Sequence, residues 1–439
     1  MKNNNNNNKI LNEVLERSKP SEEDLRYIKE NVKLFHQNID KSLKKLKIDA
    51  EIFIGGSFAK GTVIKKDKYD VDVFIRYDKK YKNEELSILT KKVLGGLENV
   101  SAVHGSRDYF RIDYGKNFFI ELIPVKKINN PKEYENITDL SYLHVKYINK
   151  KIKSNKILDE IKIAKAFCYA NGCYGAESYI HGFSGYSLEL LVYYYNGFMK
   201  FINAMSKIGK EKQIIDIEKQ FNNKKSVLMD LNSSKLNSPI ILIDPTYKQR
   251  NALAALSQET FEKFQKACKE FIKKPSVKSF EIKKIDIEKI KEDSIKNGKE
   301  FTLIEARTNK QEGDIAGSKL LKFYNYIEKE IGMFFIVKNK GFNYNGKKSA
   351  RYFFVVERKK ELICGGPFTN DKENSRKFKM EHKNIYEKNN RLYAKEIINF
   401  SLKEFLKKWK TKNARIINEM YIDNLNYIWR FFKTFCKNF

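Results

Sequence analysis

The sequence predicts an α+β protein of several domains, with a mixed sheet near the N-terminus, a mostly helical centre and a C-terminal α/β body ending in a basic tail. Three observations predict it. A chain of 439 residues exceeds what one hydrophobic core usually fills. Short strand-like runs and turn signals crowd the first third and return in the last, while apolar residues between them recur at helical spacing. The expected divisions are a disordered tail at 1–8, a sheet domain over 9–142, a helical central domain over 143–275 and a C-terminal body and tail over 276–439.

Residues 1–8, with the run Asn3–Asn8, read as a low-complexity polar tail without fixed structure. After Pro20, Ser21-Glu-Glu-Asp24 offers a cap and an acidic first turn to an amphipathic helix reaching about Leu46. Glu51–Ile54 reads as a strand running into Gly55-Gly56-Ser57, where glycines let the backbone approach a phosphate and the following amides point at it. The next strand carries Asp70 and Asp72, fourteen and sixteen residues beyond Gly56. Side chains alternate along a strand, so both carboxylates project from one side, roughly 6–7 Å apart at ~3.3 Å per residue. Tyr109–Tyr114 and Phe118–Ile123 flank Gly115-Lys116 as a hairpin whose second arm puts Phe119 and Glu121 on one face.

From about Leu143 the pattern turns helical. Leu158–Ala170 is periodic and stops at Asn171-Gly172, a left-handed cap, and a second helix follows His181-Gly-Phe-Ser-Gly-Tyr186 through Val192. Ile240-Ile-Leu-Ile-Asp244 is a short buried strand halted by Pro245, Thr260–Ile272 is a helix, and the lysine-rich stretch Lys273–Lys284 reads as a linker. Beyond it come a helix over Lys319–Ile331 and strands at Met333–Val337 and Arg351–Glu357 around Asn345-Gly346, a hairpin signal. No internal repeat is present.

A formal charge of +31, from 86 basic and 55 acidic residues, gives a field that concentrates polyanions and makes nucleic acid the natural partner. Lysine and asparagine enrichment of the kind seen in Asn3–Asn8 accounts for part of it. No run of 18 apolar residues and no apolar signal-peptide centre is found, so a cytoplasmic protein without membrane contact is expected. The five cysteines, Cys168, Cys173, Cys268, Cys364 and Cys436, form no CxxC pair and are odd in number, so they read as reduced thiols without a zinc site or disulfide framework.

The chemistry implied by the glycine turn and the two aspartates is nucleotidyl transfer. Two divalent magnesium ions acting on a nucleoside triphosphate need three carboxylates, and Asp70, Asp72 and Glu121 supply them if their strands are neighbours in one sheet. Lysine ammonium and hydroxyl groups are the donors a triphosphate needs.

The chain resembles the archaeal, class I tRNA CCA-adding nucleotidyltransferases of the DNA polymerase β superfamily over most of its length. The resemblance rests on Gly55-Gly-Ser-Phe-Ala-Lys-Gly-Thr62, Asp70-Val-Asp72 and Phe119-Ile-Glu-Leu-Ile-Pro124, shared also with poly(A) polymerases and oligoadenylate synthetases. It is narrowed by Asp139-Leu-Ser-Tyr-Leu-His144, Lys165 through Glu177, Gly182-Phe-Ser-Gly-Tyr186, Asp244-Pro and Arg250-Asn251, with echoes at Gly313–Gly317 and Cys364–Phe368. It implies a polymerase β-like palm over 9–142, with Asp70, Asp72 and Glu121 as catalytic metal ligands. Position by position it also implies Gly56, Ser57, Lys60, Ser141, Lys165 and Tyr174 around the triphosphate of ATP or CTP, and His144 and Arg250 at the incoming nucleotide and the RNA end. Glu121 departs from the family, which usually has Asp there.

The resemblance further implies that tRNA is the partner. Its 3′ end would enter the palm while the tail, which interleaves lysine with aromatics in Phe405-Leu-Lys-Lys-Trp409 and Tyr427-Ile-Trp-Arg-Phe-Phe432, would grip the elbow. Aromatics at that helical spacing also suit a core, leaving the lysine face as the firmer contact. A homodimer through the C-terminal part follows from the resemblance alone. Two other readings stay open at this point: a poly(A)-type or other non-templated RNA nucleotidyltransferase, and an inactive tRNA-binding protein on the same fold.

Overall fold

The computed structural model describes residues 2–428 except Ser106, Lys116, Lys210 and Lys284. The chain divides into two compact units, Met1–Lys283 and Lys284–Phe439. Among the described residues no helix is long and apolar enough to cross a membrane.

The first unit begins with α1 (Lys2–Ser18) and α2 (Glu22–Lys45). Ser21 caps α2 by accepting from the Asp24 amide, and Glu22, Glu23 and Asp24 fill the first turn, where the helix dipole favours negative charge. Ile28, Val32, Phe35, Ile39 and Leu43 form its buried stripe. That stripe covers a five-stranded sheet made of β1 (Ala50–Ile54), β2 (Tyr69–Tyr77), β3 (Val100–Val103), β4 (Tyr109–Asp113) and β5 (Phe118–Lys126), in the order β1-β2-β5-β4-β3. Between β1 and β2 lies the single-turn α3 (Gly56–Ala59), and between β2 and β3 lies α4 (Asn83–Val93). Val71, Val73, Ile120 and Leu122 enter the core under α2, so period-two alternation turns Asp70, Asp72, Phe119 and Glu121 to the other face. β2 and β5 run parallel with Asp70 opposite Phe119 and Asp72 opposite Glu121, and the remaining pairs are antiparallel.

The helical part of this unit comprises α5 (Ser141–Lys151), α6 (Asn155–Ala170), α7 (Gly185–Tyr194) and α8 (Phe198–Ser206). After them come β6 (Gln213–Ile215), α9 (Lys224–Asp230), β7 (Ile240–Asp244), β8 (Tyr247–Asn251) and α10 (Gln258–Lys273), the three strands forming a small sheet in the order β6-β7-β8. Its core is aromatic, with Phe167 edge-on to Phe198, Phe264 and Phe271 at ring separations of 5.5, 6.0 and 5.8 Å.

Residues Lys2–Asn8, expected to be a tail, fall within α1, whose Leu11 and Leu15 enter the central core. The two units divide at the end of the lysine-rich stretch expected to be a linker, and a short turn within it at Val277–Phe280 seats Phe280 against Phe167 at 5.4 Å.

The second unit holds α11 (Ile287–Lys296), β9 (Glu300–Thr308), α12 (Asp314–Phe334), β10 (Phe335–Tyr344), β11 (Ser349–Arg358) and β12 (Glu361–Phe368). It continues with α13 (Lys372–Glu381), β13 (Ile385–Lys388), β14 (Arg391–Ile397), α14 (Leu402–Lys412), α15 (Ala414–Glu419) and β15 (Ile422–Ile428). Four strands form an antiparallel sheet in the order β10-β11-β9-β15, and three form another, β12-β14-β13. Trp409 is buried and donates its indole N–H to Glu330 at 2.7 Å, while Phe405 and Tyr427 pack against the same core. The aromatics of α14 therefore stabilise this unit, and Lys403, Lys407 and Lys408 occupy its exposed face. Trp429–Phe432 lie outside the described residues.

Leu11→Ala should destabilise the protein by about 2–4 kcal/mol, the usual cost of removing a buried leucine. Denaturant unfolding measures this, and a value near zero would contradict the packing of α1 on the central core.

Candidate functional site

The site grows from the register of β2 against β5. With Asp72 directly opposite Glu121, and Asp70 two residues earlier on the same face, three carboxylates share one patch of sheet surface. Across the next strand pair Arg111 lies opposite Glu121, donates to its Oε1 at 2.9 Å and packs its guanidinium over the Phe119 ring at 4.3 Å. Lys66 pairs with Asp70 at 2.5 Å.

Electrostatics mark the centre of this patch. Burial first, then the charges of Asp70 and Glu121, push Asp72 up to about 7. Burial also raises Glu121, against the opposing Arg111. Lys66 is held above its ordinary value because Asp70 outweighs the cost of its burial.

The Gly-Gly-Ser turn abuts these acids. The Gly55 amide donates to the Asp72 carbonyl at 2.8 Å, and Gly56, at φ +58°, starts α3. A Cβ on Gly56 would stand 1.8 Å from Asp72 Oδ2, so this glycine is required by the carboxylate beside it as well as by the positive φ. The sequence argument attributed the glycine to phosphate approach alone. Ser57 follows in the first turn of α3, and Lys60 ends it.

The donor set suits a divalent cation: three carboxylates supply only oxygen, the ligand hard cations take. Among the described residues their oxygens do not all fall within 4.8 Å of one another. Asp70 pairs with Lys66 and Glu121 with Arg111.

A second group of charges lies under the turn. Glu189, fully buried in α7, accepts from Lys60 at 2.6 Å, from Lys165 at 2.9 Å and from the Thr62 hydroxyl at 2.7 Å, while Lys165 also donates to Thr62. Burial alone would raise Glu189, yet Lys165 and Lys60 overcome it and hold the carboxyl at about 2. One carboxylate against two ammonium groups leaves this cluster with a net positive charge. Tyr174 completes it: a Cβ on Gly185 would meet the Tyr174 hydroxyl at 3.0 Å and Lys165 Nζ at 3.8 Å, so α7 begins in contact with both.

A third group surrounds Asp244, also fully buried, at the end of β7. It accepts from His144 Nε2 at 3.0 Å, the Tyr186 hydroxyl at 3.0 Å, Arg250 Nη1 at 2.6 Å, and the Thr246 amide and hydroxyl at 2.8 Å each. The His144 ring stacks on Tyr186 with centroids 4.0 Å apart. Burial lowers His144 more than Asp244 raises it. Burial works against Asp244, but His144 and then Arg250 hold it well below the usual carboxylate range. Arg250 is one-fifth exposed and borders a cavity of about 250 Å³ lined also by Tyr134, Gly182, Ser184, Lys235 and Ala252. Ser141 starts α5 one turn before His144.

The structure therefore brings Asp70, Asp72, Glu121 and Gly56 together, joins Lys60, Lys165 and Tyr174 in one cluster, and joins His144 with Arg250 in another. Sequence reasoning missed the two buried acids that organise the last two clusters. Glu189 had a signal, as the single charge in the otherwise apolar run Ser187-Leu-Glu-Leu-Leu-Val192. Asp244 appeared within a motif but without a role.

Glu189→Ala should cost about 3–5 kcal/mol, because it leaves two buried ammonium groups unpaired. A carboxyl held below its ordinary 4.5 contributes stability above that pH and loses it as pH falls toward about 2. By linkage this amounts to on the order of 3 kcal/mol across the window. Chemical denaturation from pH 6 to 2.5 should therefore show a shallower acid loss for Glu189→Gln than for the wild type, and parallel curves would contradict the pairing.

The sequence profile described as nucleotidyltransferase domain matches residues 36–167, and that described as tRNA nucleotidyltransferase, second domain, matches residues 159–281. The CCA-adding enzyme of Nanoarchaeum equitans is 41% identical over 213 residues, which span 48% of this chain and about half, 52%, of that enzyme. Those of Methanocaldococcus jannaschii and Thermococcus gammatolerans are 28% and 25% identical, covering 88% and 92% of this chain and 86% and 89% of the relatives. The two profiles together span residues 36–281, and over most of its length the chain is similar to archaeal CCA-adding enzymes.

Proposed function

We propose that this protein adds C, C and A to the 3′ end of tRNA from CTP and ATP, without a nucleic-acid template and with release of pyrophosphate. The observation that carries the reading is the register pairing Asp72 with Glu121 beside the Gly56 turn, in a chain similar to archaeal CCA-adding enzymes. Two magnesium ions held by Asp70, Asp72 and Glu121 would supply Lewis acidity to the attacking hydroxyl and offset the charge of the triphosphate.

The chain's own residues do the rest. Ser57 and the amides of the turn take phosphate oxygens, and Lys60, Lys165 and Tyr174 donate to the triphosphate, with Ser141 adding a hydroxyl. Glu189 is a positioning residue: it holds Lys60 and Lys165 in one orientation while leaving their summed charge positive. His144 and Arg250, oriented by Asp244, read the incoming base and the RNA end, since a planar guanidinium donates to a base edge and a phosphate together. Held in line, the tRNA 3′ hydroxyl attacks the α-phosphorus and pyrophosphate leaves from the opposite side.

The charge of +31 supports tRNA as partner, with the exposed lysines of α14 on the elbow side. A homodimer through the second unit rests on family resemblance alone. We assign the work to the cytoplasm, where tRNA is matured.

The test is incubation with tRNA lacking its terminal triplet and labelled CTP alone, ATP alone, or both. CTP alone should add two residues and the pair should complete the triplet, each only with magnesium. Long A tails on any RNA end would point to a poly(A)-type enzyme, and no incorporation would leave an RNA-binding protein.

Two predictions follow from the roles assigned. Glu121→Asp should retain transfer, whereas Glu121→Ala should lower it by about a thousandfold or more with little loss of folding, read by single-turnover incorporation and circular dichroism. Affinity for tRNA should fall at least about tenfold between 50 and 200 mM salt, because phosphate contacts release counterions; a filter-binding curve flat in salt would contradict the electrostatic account.

A further inference from the structure

We propose that Cys364, His382 and Glu396, brought together in the second unit by β12, the end of α13 and β14, form a binding site for one zinc ion. The sequence spacing argued against zinc, since no CxxC pair exists. The fold supplies the ligand set by another route, joining single residues from three elements.

The placement follows from register. Cys364 pairs with Ala394 across β12 and β14, and Glu396, two residues further along β14, projects from the same face as Ala394. Gly366 shares that face with Cys364, and a Cβ there would stand 2.8 Å from the Phe378 ring, so α13 lies directly against the strand. The His382 amide closes the helix by donating to the Phe378 carbonyl, and the His382 ring packs on Phe378 with centroids 4.3 Å apart. This fixes the imidazole over the sheet, where its Nδ1 is 2.8 Å from Glu396 Oε1. One ligand atom each from the thiol, the imidazole and the carboxylate lie within 4.8 Å of one another.

The donor set selects the ion. Sulfur, imidazole nitrogen and carboxylate oxygen together suit zinc, whereas magnesium takes oxygen alone and matches the palm carboxylates instead. Tetrahedral coordination at zinc bond lengths needs ligand atoms roughly 3.3–3.8 Å apart. Side-chain rotation of about an ångström reaches that, with a water in the fourth position. Cys364 and His382 are half-buried, which leaves an entry path and still restrains the ligands, while Cys168, Cys173 and Cys268 are buried in the first unit. In chemical terms the ion would clamp α13 to the three-stranded sheet.

The experiment uses the full chain stripped of metal by a chelator and titrated with cobalt(II), a spectroscopic stand-in for zinc. One equivalent should produce a thiolate-to-cobalt charge-transfer band that zinc abolishes, and palm carboxylates cannot produce such a band. Cys364→Ser should remove the band, and His382→Ala should weaken cobalt binding at least tenfold. Independently, zinc should slow alkylation of Cys364 at least tenfold in the wild type and leave the rate in His382→Ala unchanged. Absence of the band in the wild type, its survival in Cys364→Ser, or equal zinc protection in His382→Ala would overturn the site and leave an ordinary histidine–glutamate ion pair beside a thiol.

Discussion

The parallel pairing of β2 with β5 is the constraint on which the rest of the molecule depends. A parallel pair needs a long crossover, here α4 and the hairpin strands β3 and β4, and no local turn sets its register. The hydrophobic pattern sets it: Val71 and Val73 on one strand and Ile120 and Leu122 on the other must enter the same core beneath α2. A slip of one residue would send them to the open face and bury Asp72 and Glu121. The force that packs the sheet therefore also aligns the carboxylates.

Around that patch the protein stores charge in a graded way. Burial, and after it the charges of Asp70 and Glu121, raise Asp72 to about 7, while the buried acids Glu189 and Asp244 are held low by the cations and donors around each. Glu189 and Asp244 are costly to bury, and the cost is offset by Lys60, Lys165 and Thr62 in one case and by His144, Arg250, Tyr186 and Thr246 in the other. Both clusters join groups far apart in sequence, so each also ties the helical region to the segments beside it. The orientation of Lys60, Lys165, His144 and Arg250 and the stability of the first unit are thus served by the same hydrogen bonds.

Much of this was readable from residues alone, for physical reasons that differ by element. α2 announced itself through a cap, an acidic turn and a stripe of five apolar residues. The strand bearing Asp70 and Asp72 and the hairpin bearing Glu121 followed from period-two alternation and glycine turns. The pairing of β2 with β5 was only a condition in that reading, because parallel neighbours leave no local signature. The N-terminal run misled because asparagine-rich composition argues for disorder, and only tertiary contact of Leu11 and Leu15 overrides it. Glu189 went unnoticed because its partners are 127 and 129 residues away at Thr62 and Lys60. The grouping of Cys364, His382 and Glu396 was hidden because each sits singly on a different element, β12, the end of α13 and β14.

The central claim is that acids from two separate strands act as one metal-binding unit. Manganese(II) binding, followed by electron paramagnetic resonance in the presence of CTP, tests it most directly on Asp72→Asn and Glu121→Gln. The account predicts that both substitutions weaken manganese binding by a similar factor of ten or more while unfolding curves stay close to wild type. Wild-type manganese affinity in Glu121→Gln would contradict it.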